Sequence, residues 1–229
     1  FHLHASLLER AGRTMLSRGN ESFQTLSLKI KGKTAAITCL PVVDILGGDF
    51  TGYIATNLMA MTDGHIFFDI DLYQEGMRPA VNTTLSVTRV GRQTQTTVER
   101  DFAREIRQIM FEYAQAGEVA KFGVELLGTT QAKLLLGAKV YAILAQSNDV
   151  LIPKVIQLLF VGLLLSGFWQ FSTPDQIKSH KSAIVNQWRR GRLAELGKEL
   201  QRSLDLGSKK RFVDMIVKYQ DQIAKICKL

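Results

Sequence analysis

Apolar positions change their period near residue 95, and that change divides the chain into two kinds of structure. Thr34 to Val43 is rich in β-branched residues and broken at Pro41, while Ile66 to Leu72 and Thr84 to Val90 are two further apolar runs of strand length. Short runs bounded by Gly- and Asp-containing turns predict a largely buried sheet. Leu3 to Arg13 reads instead as a short helix, and Gly12, Gly19, Asn20 and Gly32 mark loops. From Thr96 the period is helical. Val98, Phe102, Ile106, Ile109, Met110 and Tyr113 fall on one helix face, with Thr96 or Thr97 as the N-cap and Gly117 as the stop. Helical pattern continues through Leu136 and resumes from Ile152 and from Phe212. The expected fold is therefore α/β over residues 1–95, followed by an all-α bundle over 96–229.

One stretch fits two environments. Val155 to Phe171 is 17 residues of almost uninterrupted apolar sequence, with Gln157, Ser166 and Gln170 inside it. A bilayer core takes roughly 20 residues to cross. Composition alone leaves open a membrane span or a central bundle helix, apolar all round because neighbours surround it. Further on, Ile184, Trp188, Leu193, Leu196, Leu200 and Leu204 recur at spacings of three to five, as on amphipathic helices.

With 229 residues, 46% of them hydrophobic and 22% charged, and a mean hydropathy of +0.03, the protein is neither disordered, collagen-like nor a polytopic membrane protein. It is long enough for one or two domains with proper cores. Lys and Arg number 29 against 21 Asp and Glu, giving +8, and residues 178–229 alone hold 13 basic and 5 acidic residues, which accounts for all of it. A basic tail invites a nucleic-acid or anionic-lipid partner. No aromatic ladder or nucleic-acid-binding fingerprint accompanies the charge, so it reads as solvated helical faces with no nucleic-acid partner. Cys39 and Cys227 lie far apart and form no Cys or His cluster, which points to neither a zinc site nor a disulfide framework and makes a reducing compartment the simpler reading. His2, His4, His65 and His180 share no metal-ligand spacing, so no metal site is expected in the protein. Asp69 and Asp71 alternate with Phe68 and Ile70, which predicts a solvated carboxylate face on a strand.

Four stretches, taken in order, resemble the alpha subunit of the rotary F-type ATP synthase. HLHASLLERAGR (His2 to Arg13) is similar to the family's His-x-x-Leu-Leu-Glu-Arg-Ala segment, and TGYIATNLMAMTDGHIF (Thr51 to Phe67) to its Tyr-Ile-x-Thr-Asn…Thr-Asp-Gly-Gln-Ile-Phe segment. LYQEGMRPAVN (Leu72 to Asn82) is similar to Gly-Ile-Arg-Pro-Ala-Ile-Asn, and LSVTRVG (Leu85 to Gly91) to Leu-Ser-Val-Ser-Arg-Val-Gly. AKFGVELLGTTQ (Ala120 to Gln131) adds a likeness to the stretch that opens the helical domain. The resemblance implies the trailing part of a RecA-like nucleotide-binding domain joined to a C-terminal helical bundle. No G-x-x-x-x-G-K-[ST] phosphate loop occurs in the sequence. In the family that loop lies upstream of the first motif, so an opening at Phe1 without Met is expected to be a cut in a longer protein.

The resemblance also implies roles for residues. Arg89 corresponds to the arginine that alpha lends to the catalytic nucleotide on a neighbouring beta subunit. There a planar, permanently charged guanidinium bridges β- and γ-phosphate oxygens and stabilises charge during phosphoryl transfer. Ser86 matches a family serine needed for activity, whose hydroxyl helps set the interface that presents the arginine. Arg78 and Pro79 match residues lining the adenine of alpha's own non-catalytic nucleotide, and Gln146 aligns with a glutamine near that base. The sequence departs from the family at Asn148, where a second glutamine is usual, at Ala55, where Pro is usual, and at Arg92, Gln93 and Thr94, where small residues are usual. His65 takes a position usually held by Gln and is expected to be a polar turn residue.

By the same resemblance the ligands are ATP or ADP with Mg²⁺, and the partners are beta subunits on both sides, the gamma rotor stalk and the delta subunit of the peripheral stalk, in a hetero-oligomer. Such a complex makes ATP from ADP and phosphate, coupled to proton or sodium translocation. It sits as a peripheral assembly on the cytoplasmic face of a bacterial-type inner membrane or its organelle equivalent. The glutamate that polarises the attacking water belongs to beta, so no ATPase activity is expected of this subunit alone. The resemblance favours the buried helix for Val155 to Phe171. Two other readings are a subunit of a related hexameric export or secretion ATPase and, in a different class, a helical membrane-associated scaffold.

Overall fold

A computed structural model of the protein describes residues 2–15, 34–45, 47, 49–121, 128–147, 150–205 and 207–227. The expected loop residues Gly19, Asn20 and Gly32, the family departure at Asn148 and residues 122–127 of the motif around Phe122 lie outside them. Two compact units form: residues 1–65 with 86–90, and residues 66–85 with 91–229.

In the first unit, helix α1 (His2–Leu8) leads into strand β1 (Gly12–Met15), which pairs antiparallel with β2 (Thr34–Ile37), Gly12 opposite Ile37 and Arg13 opposite Ala36. The helix expected to reach Arg13 is shorter, because Gly12 and Arg13 join the ladder. Strand structure likewise stops at Ile37 and does not reach Val43. Nor is this the buried sheet expected: Ile37, Leu40 and Val42 are exposed, since a two-stranded ribbon covers neither of its own faces.

Helix α2 (Tyr53–Met61) follows, its first bond running from the Thr56 N–H to the Gly52 carbonyl at 3.0 Å. Ala55 thus sits in the first turn, where the N–H needs no intrahelical acceptor and the family's proline fits equally well. After α2, β3 (Gly64–His65) pairs antiparallel with β4 (Val87–Thr88), Gly64 opposite Thr88. A Cβ on Gly64 would stand 2.5 Å from the Val87 carbonyl oxygen, so only glycine admits this approach. The run Thr84 to Val90 supplies just two strand residues. The Thr84 and Leu85 N–H groups donate instead to Asn82 Oδ1, at 3.0 and 3.1 Å, in a side-chain turn.

Residues 66–85 correct another expectation. Ile66 to Leu72 is not a strand: beyond an isolated bridge between Phe68 and Val81, Asp69 caps the short helix α3 (Ile70–Gln74). Its carboxylate accepts the Asp71 N–H at 3.0 Å and Asn82 Nδ2 at 2.8 Å. The Asn82 bond holds the Asp69 carboxyl below its usual range, against a slight opposing effect of burial. An Asp that can satisfy an orphan helix N–H outweighs the alternating pattern. Asp69 and Asp71 therefore share no strand face.

The rest of the second unit is helical. Thr96 Oγ1 accepts the Glu99 N–H at 3.3 Å and the Glu99 carboxylate accepts the Thr96 N–H at 2.6 Å, a reciprocal cap that starts α4 (Thr97–Lys121). The helix runs through Gly117, the expected stop. A mid-helix glycine costs about 1 kcal/mol relative to alanine, whereas burying a large apolar side chain gains about 1.5–3 kcal/mol, and Val98, Phe102, Ile106 and Met110 are all buried on this helix.

Helices α5 (Gly128–Leu144), α6 (Lys154–Leu165), α7 (Pro174–Arg189), α8 (Ala194–Asp205) and α9 (Lys209–Cys227) follow. Helix α6 packs against α4, α5, α8 and α9, and Ile156, Leu159, Phe160, Leu163 and Leu164 are buried. The apolar stretch Val155 to Phe171 is thus a buried helix followed by a turn in which Gly167 takes a φ of 83°. Trp169 then packs on Phe160, with ring centroids 6.3 Å apart. Among the described residues no helix is long and apolar enough to cross a membrane. In the basic tail Ile184, Leu193, Leu196, Leu200 and Leu204 are buried and Trp188 half-buried. Its cations face outward at Lys178, Arg189, Arg190, Lys198 and Arg202, while Lys181 is buried.

Candidate functional site

Arg89 directly follows β4 and is exposed. Its backbone N–H donates to the Asp63 carbonyl and its Nη1 to the Ala60 carbonyl, both at 2.7 Å. Ala60 lies in the last turn of α2, where carbonyls lack intrahelical donors and carry partial negative charge, so a guanidinium is well matched to it. Both the root and the tip of Arg89 are therefore fixed by the same helix exit. Ser86 is half-buried and immediately precedes β4; it does not share the strand with Thr88 as the alternation suggested.

Arg78, Pro79 and Gln146 belong to the other unit, and there they come together. The guanidinium of Arg78 lies over the Tyr73 ring, 3.4 Å from its centroid, and Nη1 donates to the Tyr73 and Met77 carbonyls at 2.7 Å each. The Arg78–Pro79 peptide is cis. The Gln146 N–H donates to the Arg78 carbonyl at 2.8 Å, and its Nε2 to the Val150 carbonyl at 2.6 Å. Just before Gln146, Lys181 of α7 donates to the Ile143 carbonyl at 2.8 Å and to the Ala145 carbonyl. Burial draws the Lys181 amine down to about 8. Among the described residues no group of three or more His, Cys, Asp or Glu is gathered as for a metal.

Two family models match along this protein. One, the ATP synthase alpha/beta family nucleotide-binding domain, covers residues 1–88. The other, the C-terminal domain of the ATP synthase alpha/beta family, covers residues 95–219. The protein belongs to the ATP synthase alpha/beta family. ATP synthase subunit alpha of Pasteurella multocida is 34% identical over 205 residues, which is 89% of this sequence and 39% of that relative. The same subunit of Buchnera aphidicola is 34% identical over 186 residues, 81% of this sequence and 36% of the relative. That of Haemophilus influenzae (strain PittGG) is 33% identical over 205 residues, again 89% and 39%. The sequence spans about two fifths of the length of these curated relatives.

These relatives are all alpha subunits, in agreement with the motif resemblance, and nucleotide-binding sequence followed by a C-terminal domain is the expected α/β then all-α order. Within this member of the ATP synthase family, sequence reasoning missed Tyr73 and Lys181. Tyr73 sits at the end of a five-residue helix where no period could flag it. Lys181 did leave a signal: it occupies the apolar register of Ile177, Ile184 and Val185 on α7, where a lone cation must be buried and supplied with acceptors.

Proposed function

We propose that this protein acts as an alpha-type subunit of a rotary ATP synthase, with residues 1–95 as its nucleotide-binding part and 96–229 as its helical domain. In this reading Arg89 reaches the catalytic nucleotide on a neighbouring beta subunit and balances charge on the γ-phosphoryl group as ATP is formed or cleaved. Ser86 sets how β4 meets that interface. The observation that carries the reading is the double tether of Arg89 to the α2 exit, through Asp63 and Ala60. A fixed guanidinium loses little orientational freedom when it meets a phosphate.

Arg78, Pro79 and Gln146 flank the adenine of a second, non-catalytic nucleotide bound with Mg²⁺, the planar Arg78 fork over Tyr73 offering a face to the base. Beta subunits adjoin this subunit on both sides, the gamma stalk runs past the helical domain, and the delta subunit and peripheral stalk hold the head. The complex is peripheral to the membrane, on the cytoplasmic side of a bacterial-type membrane or its organelle equivalent, and couples to protons or sodium. The isolated subunit supplies no water-polarising glutamate and turns over no ATP.

Arg89→Lys in the assembled complex tests this reading. Assembly is expected to be unchanged while turnover falls by about 10³ or more, the contribution of an arginine supplied in trans. Turnover near that of the unmodified complex overturns the assignment.

A further inference from the structure

A lysine enclosed in a helical bundle is costly unless its ammonium is supplied with acceptors, and two are enclosed here, Lys139 and Lys181, at 5% and 7% exposure. Both ammonium groups end among carbonyl oxygens. Lys139 Nζ donates to the Trp169 and Gln170 carbonyls at 3.0 and 2.7 Å, in the turn after α6. Lys181 Nζ donates to the Ile143 carbonyl at 2.8 Å and to that of Ala145, with Ala142 oxygen 3.5 Å away. These carbonyls close the C-terminal end of α5, where no intrahelical N–H can satisfy them. The residue that follows is Gln146, whose N–H closes on the Arg78 carbonyl at 2.8 Å. One connected set of bonds therefore runs from α7 through the α5 exit to Arg78.

We propose that Lys181 is the positioning residue of the non-catalytic nucleotide site: by fixing the α5 exit it holds Gln146 and Arg78 at the spacing that receives the base. This rests on the reading that Arg78 and Gln146 flank a base. Lys181 touches no ligand itself. Without its ammonium the last α5 carbonyls lose their donor, the exit frays, and the Gln146 to Arg78 bond is no longer held from behind. Lys139 is the matched comparison, being the same residue type in the same bundle, equally enclosed, and bonded to carbonyls of a different turn.

The test uses the assembled complex carrying Lys181→Met, Lys139→Met, Lys181→Arg or Arg78→Ala. The readouts are the affinity for ADP at sites that do not exchange during turnover and the thermal stability of each complex. Lys181→Met is expected to weaken ADP binding about three- to tenfold, the effect of losing one or two net hydrogen bonds. Lys139→Met should leave affinity unchanged, and Lys181→Arg, which keeps the donors, should restore most of it. If Lys181→Met prevents assembly, Lys181→Gln enters the same comparison in its place. Unchanged affinity in the Lys181 variant while Arg78→Ala weakens binding overturns the proposal, as does an equal loss in both lysine variants. If Arg78→Ala leaves ADP binding intact, the base-site reading itself is wrong.

Discussion

Lys154 Nζ lies 2.5 Å from Glu99 Oε1, so an ion pair ties the start of α6 to the start of α4. Glu99 is buried while Lys154 is exposed. Burial pushes the Glu99 carboxyl up, but hydrogen bonds from Lys154 and the Thr96 amide outweigh it and leave the carboxyl below its ordinary value of 4.5. A carboxyl depressed in the folded state stabilises the fold above its unfolded pKa and loses that contribution as pH falls through the folded value. The stability of the bundle should accordingly drop below about pH 5, and drop less steeply in Glu99→Gln, which does not titrate. Denaturant unfolding from pH 3 to 7 checks this, and parallel curves for the two proteins refute it. Lys154→Ala at pH 7 should cost about 1–3 kcal/mol, because it leaves the enclosed carboxylate with only the Thr96 N–H.

Gly117 and Gly137 both lie inside helices, yet alanine should act on them in opposite directions. At Gly117 a Cβ meets nothing within 4 Å, so Gly117→Ala should stabilise the bundle by about 0.5–1 kcal/mol through helix propensity alone. At Gly137 the same atom would lie 2.2 Å from Tyr113 Cδ2, and that ring is held edge-on to Tyr141 with centroids 5.3 Å apart. Gly137→Ala must move Tyr113, and the overpacking should cost about 1–3 kcal/mol. Thermal melts of the two single variants decide it, shifts of the same sign being the contrary result.

Gly64 should matter to Arg89 without touching it. Gly64→Ala drives a Cβ into the Val87 carbonyl oxygen and, at 3.0 Å, onto the Thr88 Cα. This forces β3 and β4 apart, and Arg89 is the residue after β4. The Arg89 amide, bonded to Asp63 at 2.7 Å in the native protein, should then exchange its hydrogen markedly faster, with a stability loss on the order of 1–3 kcal/mol. Hydrogen exchange read at Arg89 and at Thr56 separates this local effect from general loosening, because Thr56 bonds within the first turn of α2 and should be unaffected.

What could be read in advance was whatever depends on neighbours in sequence. The Thr96 cap was legible because Thr96 and Glu99 are three residues apart, and the buried face of α4 because its period is local. Asp69 was misread: alternation and N-capping make opposite claims on the same residues, and Asn82, which tips the balance, lies thirteen residues away. Gly117 was misread because the worth of a stop signal depends on how much apolar surface lies beyond it. Of the candidate site, the residue types around Arg89 and Arg78 could be picked out by resemblance. The Ala60 carbonyl that holds Arg89 and the Tyr73 ring beneath Arg78 could not, since both contacts depend on how the backbone turns back on itself.

The two enclosed lysines have a practical consequence. Amine-modifying reagents reach the tail's outward lysines, such as Lys178, Lys198 and Lys210, directly, but reach Lys139 and Lys181 only when the bundle opens. Acylation at those two positions, followed by mass spectrometry, would act as a clock for local opening. It would time the α5 to α7 contact separately from the turn after α6, with the surface amines of the same molecule as the zero mark.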